Sequence, residues 1–449
     1  MAFIKFPGDF TWGASTSAYQ IEGAFNEEGK GLSTWDEFSH SPGNINDGTT
    51  GDIACDHYHK YKEDIELIHN LGVQAYRFSL SWPRILPAGS GKVNKQGLDF
   101  YDRLIDLLLD RGVTPFITLF HWDLPLALHS KGGWTTRDTT EYFADYCGIA
   151  AEHYGDRVRH WITLNEPVYG IGNCGYLLGI HAPGIADYRI SLKAKYMLAL
   201  AHGRGFRRLK EIDAGFKVGI AEAVFPLYPL KPEYEDLKEL LESHRFRFIL
   251  DPVIKGQFPP LINDHVRAEL DDIRDEELAI IHTPLDFVGL HNYTRFFYEP
   301  DSTVPSGFKE ILIPAGYESS YTDMGWEIFP EGMYHTVMDF RRLYGDIPIY
   351  ITENGAAFND ELADGKVADR RRVAFIRDYL SQLARAMAEG CNVKGYFVWS
   401  LMDNFEWAEG YSKRFGIIYV DYKTLKRYPK ESYYWYRNVC REQGFRVEE

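Results

Sequence analysis

The chain has 449 residues, of which 45% are hydrophobic and 25% charged, and its formal net charge is −16. That composition supplies a large core in a water-soluble chain, and the acidic balance argues against nucleic acid as a partner, because phosphate contacts need clustered cations. No apolar run has the length needed to cross a bilayer, and Met1-Ala-Phe-Ile-Lys-Phe-Pro-Gly has no long apolar stretch of the secretory kind.

In chain order, a short apolar strand followed by an amphipathic stretch recurs. The first strand is predicted over Phe10 to Ala14. A helix carrying Tyr58, Tyr61, Ile65, Ile68 and Leu71 on one face precedes a strand from Val73 to Phe78. A helix with Leu98, Tyr101, Leu104, Ile105, Leu108 and Leu109 leads to Thr114-Pro-Phe-Ile-Thr-Leu. Phe143, Tyr146 and Ala150 mark another before His160-Trp-Ile-Thr-Leu. Further strands are predicted at Lys217 to Ala221, Asp286 to Leu290, Ile347 to Thr352 and Gly395 to Trp399. Alternating strand and helix implies parallel strands, and eight of them point to an α/β protein built as one (β/α)8 TIM barrel spanning residues 1–449. A doubly wound open sheet is the alternative that pattern alone allows.

Barrel active sites lie at the C-terminal ends of the strands. Those ends carry Trp12 with Gln20 beyond it, then Arg77, His121-Trp122, Asn165-Glu166, Asn292-Tyr293, Glu353-Asn354 and Trp399. Carboxylates, amides and aromatics are what a sugar site needs, since pyranose rings stack through C–H faces and hydrogen-bond through hydroxyls. The 30 Tyr, 28 Phe and 10 Trp provide more aromatics than most cores use. Two carboxylates facing each other are the minimum for glycoside hydrolysis. Each glutamate also has a plain reading: Glu166 precedes Pro167, and Glu353-Asn354-Gly355 has the form of a turn.

At these residues the chain resembles glycoside hydrolase family 1, the β-glucosidase family, from Phe6 to about Tyr434. The matching segments are Phe6-Pro-Gly-Asp-Phe-Thr-Trp-Gly-Ala-Ser-Thr-Ser-Ala-Tyr-Gln-Ile-Glu-Gly-Ala, Tyr76-Arg-Phe-Ser-Leu-Ser-Trp-Pro-Arg, Thr163-Leu-Asn-Glu-Pro, Ile351-Thr-Glu-Asn-Gly and Trp399-Ser-Leu-Met-Asp-Asn-Phe-Glu-Trp. The resemblance implies a cofactor-free, metal-free retaining β-glycosidase acting from the nonreducing end, with Glu166 as acid/base and Glu353 as nucleophile. It implies that Arg77 and Tyr293 hold the nucleophile and that Asn165 takes the sugar 2-hydroxyl. Gln20, His121, Glu406 and Trp407 would bind other hydroxyls, Trp399 would floor the ring, Trp122 would line the pocket, and Trp326 would be the aglycone platform. The family commonly has Asn where this chain has His291, which either takes over that residue's contact with the acid/base or points elsewhere.

Family members that act on 6-phosphoglycosides carry Ser, Lys and Tyr where this chain has Glu406, Lys413 and Phe415. A carboxylate at Glu406 repels a phosphate, so free β-glucosides are expected, with β-galactoside and β-fucoside side activity. A noncatalytic sugar-binding relative would lack one or both glutamates. A metal enzyme is disfavoured because Asp56-His-Tyr-His opens a predicted helix and no carboxylate–histidine set has ligand spacing. Gly170-Ile-Gly-Asn-Cys-Gly fits GxGxxG, but Tyr-Leu-Leu-Gly-Ile-His-Ala-Pro-Gly follows it in place of an amphipathic helix. Asn292-Tyr-Thr is a formal glycosylation site without a secretory context. Cys55, Cys147, Cys174, Cys391 and Cys440 are odd in number and lack CxxC spacing, as expected of reduced thiols in a cytoplasmic enzyme. Arg370-Arg371-Arg372 reads as a solvated helix start. The expected partner is a small β-glycoside or oligosaccharide, with neither nucleic acid nor membrane, and a homo-oligomer is compatible with the sequence.

Overall fold

A computed structural model describes residues 2–270 and 272–447. Eight parallel strands close into a barrel: β1 (Thr11–Ser15), β2 (Ala75–Ser79), β3 (Thr114–Phe120), β4 (His160–Asn165), β5 (Lys217–Ala223), β6 (Phe287–His291), β7 (Ile349–Asn354) and β8 (Val393–Trp399). The β8–β1 pairing, Gly395 opposite Thr11 through Trp399 opposite Ser15, closes the ring and rules out the open sheet. All eight predicted strands are present, displaced by at most two residues at their starts.

The outer ring is formed by α1 (His57–Leu71), α2 (Lys95–Asp110), α3 (Arg137–Tyr154), α4 (Tyr188–Ile212), α5 (Arg247–Lys255), α6 (Glu331–Tyr344), α7 (Arg370–Ala388) and α8 (Glu431–Glu442). Their apolar faces seal against the strands, as in α2, where Leu98, Tyr101, Leu104, Ile105 and Leu108 are all buried. Arg370 and Arg371 are exposed, but Arg372 is fully buried, ion-paired with Asp369 and with Asp360 at 2.8 Å, so only the first two arginines form a solvated helix start. Helix amphipathicity decides this: the third arginine falls on the inner face, where it needs a counter-charge.

Side chains alternate across each strand, and that period builds the barrel interior in layers. Ala75, Phe116 and Phe397 form one layer with Tyr350 against it. Two residues further along their strands come Arg77 and Thr118, joined by an Arg77 Nε to Thr118 Oγ1 hydrogen bond of 3.1 Å. The aromatic layer is the floor, and Arg77 stands on it facing the open end. Trp12 points outward instead, packing with Phe6, Phe10 and Tyr436, and belongs to the core. The five cysteines are all free and buried. Among the described residues no helix is long and apolar enough to cross a membrane.

Candidate active site

A cavity of about 560 Å³ opens at the C-terminal ends of the strands, lined by His121, Trp122, Asn165, Glu166, Tyr293, Trp326, Glu353, Trp399, Glu406 and Trp407 among others. Arg77, His291 and Gln20 lie behind this lining and orient it.

Glu353 at the end of β7 is held on both carboxylate oxygens. Arg77 Nη1 donates to its Oε1 at 2.6 Å and the Tyr293 hydroxyl donates to Oε2 at 2.7 Å. The other Arg77 nitrogen donates to Asn165 Oδ1, which fixes the orientation of that amide, because a guanidinium offers only donors. Asn165 Nδ2 therefore points at His121 Nε2, 3.1 Å away, with one hydrogen left for another acceptor. His121 Nδ1 is buried with no partner among the described residues. The Asn354-Gly355 pair is no free turn. Asn354 donates to Asn292 O at 2.6 Å and accepts from Tyr396 at 2.7 Å, while a Cβ on Gly355 would lie 1.6 Å from Trp399 O.

Glu166 follows β4 with a left-handed backbone, φ 45°, and Trp122 and Trp407 also adopt positive φ, at 82° and 51°. Non-glycine residues in this region cost of order 1–3 kcal/mol each and persist only where their surroundings over-determine them. The glycines of Gly170-Ile-Gly-Asn-Cys-Gly let neighbouring groups pack closely, Trp122 among them. A Cβ on Gly170 would lie 2.0 Å from the Trp122 indole, one on Gly172 2.5 Å from the Lys195 stem, and one on Gly175 2.6 Å from Ala182 O. They are packing clearances in the Pro167–Leu177 helical segment.

One carboxylate oxygen of Glu166 and one of Glu353 lie within 4.8 Å of each other, with His291 Nδ1 in the same group. The ring nitrogen is 2.6 Å from Glu166 Oε1 and 3.4 Å from Glu353 Oε2, so His291 points at Glu166 rather than elsewhere. This Glu-His-Glu set is assembled from the ends of β4, β6 and β7, which sequence spacing could not show. Arg77 already supplies its positive charge. His57, by contrast, is committed to Asp64 at 2.8 Å, and Arg427 reaches the same carboxylate.

The electrostatics separate the two glutamates. Burial pushes Glu166 far above the usual carboxylate range, and the charges of Glu353 and Glu222 push it further. Burial also raises Glu353, but the Arg77 charge and the Arg77 and Tyr293 hydrogen bonds draw it back. Burial and neighbouring carboxylates thus act together on Glu166, whereas Arg77 and Tyr293 oppose burial at Glu353.

Glu406 is buried, which with the charge of Glu353 pushes it up to about 8. Gln20 is fully buried behind it: its Nε2 donates to Asn404 Oδ1 and Phe405 O, both at 3.0 Å, and reaches Glu406 Oε2 at 3.4 Å. Its Oε1 accepts from Ser17 at 2.6 Å. Trp407 packs on Trp122 and on Trp35, each at 4.5 Å between centroids. Trp326 packs on Tyr293 and Phe415 at the outer side of the cavity. Lys413 is turned away, donating to Asp323 O at 2.7 Å. Asn292 is fully buried and donates to Thr336 at 3.0 Å, so the formal glycosylation site is inaccessible in the fold.

Tyr169, Phe225, Met324, Asn44, Asn46 and Glu409 also line the outer cavity, from segments that carry no strand-end signal in the sequence. Glu222, near the end of β5, does carry the strand-end signal.

The model of glycosyl hydrolase family 1 matches residues 3–445. The chain is 48% identical to Beta-glucosidase A of Acetivibrio thermocellus over 99% of its own length and 100% of the relative's. It is 46% identical to Beta-glucosidase A of Thermotoga maritima over 98% of both chains. A solved family 1 β-glucosidase from T. maritima superposes with a TM-score of 0.95 at 45% identity, covering 99% of this chain and 100% of that one. Related structures of that enzyme hold noeuromycin and deoxynojirimycin. With a closed barrel, a buried glutamate pair at its mouth and near-complete coverage in sequence and in structure, the chain belongs to glycosyl hydrolase family 1.

Proposed function

We propose that the whole chain acts as one catalytic barrel, a retaining exo-β-glucosidase that releases a terminal glucose from small β-glycosides or β-linked glucan oligosaccharides. The observation that carries this reading is the close carboxylate pair, with an oxygen of each within 4.8 Å of the other. Retaining enzymes hold their carboxyl groups about 5–5.5 Å apart, whereas inverting ones need roughly 6.5–9.5 Å to admit a water.

Glu353, ionised by its contacts with Arg77 and Tyr293, attacks the anomeric carbon as Glu166 gives its proton to the departing oxygen. The C–O bond to the aglycone breaks and a glycosyl ester of Glu353 forms. Esterification removes the charge that helped raise Glu166, which then takes a proton from water as that water attacks the same carbon. Two displacements return the original anomer. The remaining hydrogen of Asn165 Nδ2 suits the 2-hydroxyl, a contact that strengthens in the transition state. His121 and Glu406 suit the other hydroxyls, with Gln20 orienting Glu406, and Trp399 and Trp407 provide ring faces.

A single carboxylate at Glu406 can accept from an axial or an equatorial 4-hydroxyl, which favours β-galactoside and β-fucoside side activity. A relative from Bifidobacterium breve, 39% identical, is named a bifunctional β-D-glucosidase/β-D-fucosidase. Two relatives named 1,4-beta-D-glucan glucohydrolase support a glucan substrate. The test is a panel of aryl β-glycosides, one bearing a 6-phosphate, with the first-formed anomer followed by NMR. Glucose appearing first as the β-anomer, with free glucosides preferred over the phosphorylated one, is expected. An α-anomer, or a higher kcat/KM for the phosphorylated substrate, overturns it.

A further inference from the structure

A buried charged group behind the acid takes no part in the double displacement. Glu222 has no solvent exposure. Its carboxylate accepts the backbone N–H of Val168 and of Ala223, both at 2.9 Å, and reaches that of Tyr169 at 3.4 Å. Val168 and Tyr169 open the helical segment Pro167–Leu177, immediately after the left-handed Glu166. First-turn amides have no partner within their own helix, and Pro167 has no N–H to give, so these two need an outside acceptor. The Glu166 N–H itself donates to Ala221 O at 2.8 Å. Adjacent residues of β5 thus grip the chain on both sides of Glu166.

We propose that Glu222 is a positioning residue for the acid/base: by accepting the Val168 and Tyr169 amides it locks the turn that presents Glu166, and in its ionised form it sets a negative charge beside the acid. The proposal rests on the reading of Glu166 as the acid. The groups around Glu166 are Glu353 on β7, Arg77 on β2, His291 on β6 and Glu406 after β8, as well as Glu222. Across from Glu222, α4 carries Lys195, whose stem lies against Gly172 of the same segment, with Arg245 and Glu310 beyond. Burial lifts Glu222 to about 7 while its three backbone donors and Lys195 draw it down. The three amide donors and Lys195 favour its charged form, which lies beside Glu166 and adds to the carboxylates that raise it. A negative neighbour raises the pKa of Glu166, so removing that charge lets the acid ionise at lower pH. A cap of structural importance only has no such effect.

The test is E222Q, which keeps one acceptor oxygen and removes the charge. The basic limb of the kcat/KM profile on an alkyl β-glucoside reports the free enzyme's acid and moves down by about 0.5–1 pH unit, with the acidic limb in place. An active E222Q with an unmoved basic limb overturns the proposal. Should E222Q fail to fold, E222D decides: it keeps the charge and draws it back by one methylene. Its basic limb stays while kcat on poor leaving groups falls about tenfold. An unchanged kcat, or a basic limb that falls, overturns it. Failure of the acid reading is separate and is read from E166A, whose losses would then be equal for good and poor leaving groups.

Discussion

His291 sets its Nδ1 2.6 Å from Oε1 of Glu166, in a fully buried ring whose Nε2 has no partner among the described residues. Burial and the nearby Arg77 and His121 hold the imidazole well below its usual pKa, so it is neutral and carries one N–H. An orphaned acceptor is tolerated better than an orphaned donor, which puts the hydrogen on Nδ1. His291 then donates to Glu166 Oε1, and on the proposed reading of Glu166 as the acid the other oxygen carries the proton for the leaving group. His291→Phe is expected to lower kcat/KM on alkyl glucosides by about 10–100-fold, with a much smaller loss on dinitrophenyl glucoside, which needs no acid. His291→Asn keeps an N–H donor and recovers most of the loss. Equal losses on both substrates would separate His291 from proton delivery.

The roles of the two glutamates give opposite chemical signatures. Glu353→Ala is expected to lower hydrolysis by roughly 10⁴-fold or more, and azide restores turnover from the vacated face to give the α-glycosyl azide. Glu166→Ala slows substrates with poor leaving groups by about 10²–10⁴-fold and barely affects glycosylation by activated ones. A β-azide from the Glu353 variant would reverse the assignment. Product anomers by NMR and a leaving-group series make both checks.

Most of the barrel was legible because helix and strand periods differ, and apolar runs such as Thr114 to Leu119 and Gly395 to Trp399 have the length of buried strands rather than of helices. The centre of the site was legible for the same reason: Arg77, Glu166 and Glu353 sit where strands end. What stayed hidden is what loops and three-dimensional closure create. The distance between residues 166 and 353 depends on barrel curvature, and the direction of His291 depends on the β5–β6 register, which pairs Ala223 with His291. The fate of Gln20 turns on Asn404 and Phe405, nearly the whole chain away. The outer cavity comes from long loops around Tyr169 and Trp326, where no periodic pattern operates.

Arg77 joins Glu353, Asn165 and Thr118 in one buried junction. Arg77→Met leaves Glu353 buried without its counter-charge, a change that costs about 3–5 kcal/mol of stability for a buried pair. The pKa of Glu353 then rises, because burial continues to raise it and the opposing cation is gone. Since the nucleophile must be ionised, the acidic limb of the kcat/KM profile moves to higher pH. Thermal unfolding and the pH profile measured on the same sample check both. A lowered Tm with an unmoved acidic limb would assign Arg77 to packing alone.

Asp123, two residues past His121, is buried, and burial pushes its carboxyl up to about 8, with Ser81 and Lys30 drawing it back only in part. A carboxyl whose folded pKa lies above its unfolded value contributes its full stability below the unfolded pKa, near 3.8, and loses it as pH rises toward the folded one. The folded chain therefore weakens between about pH 4 and pH 8 through this group, by an amount of order a few kcal/mol. Asp123→Asn has nearly the same shape and cannot ionise. Its unfolding free energy is expected to fall less steeply across that window, so that the variant gains on the parent as pH rises. Urea unfolding at pH 5, 7 and 9 measures the slope, and parallel slopes for parent and variant would mean that Asp123 is already ionised in the fold.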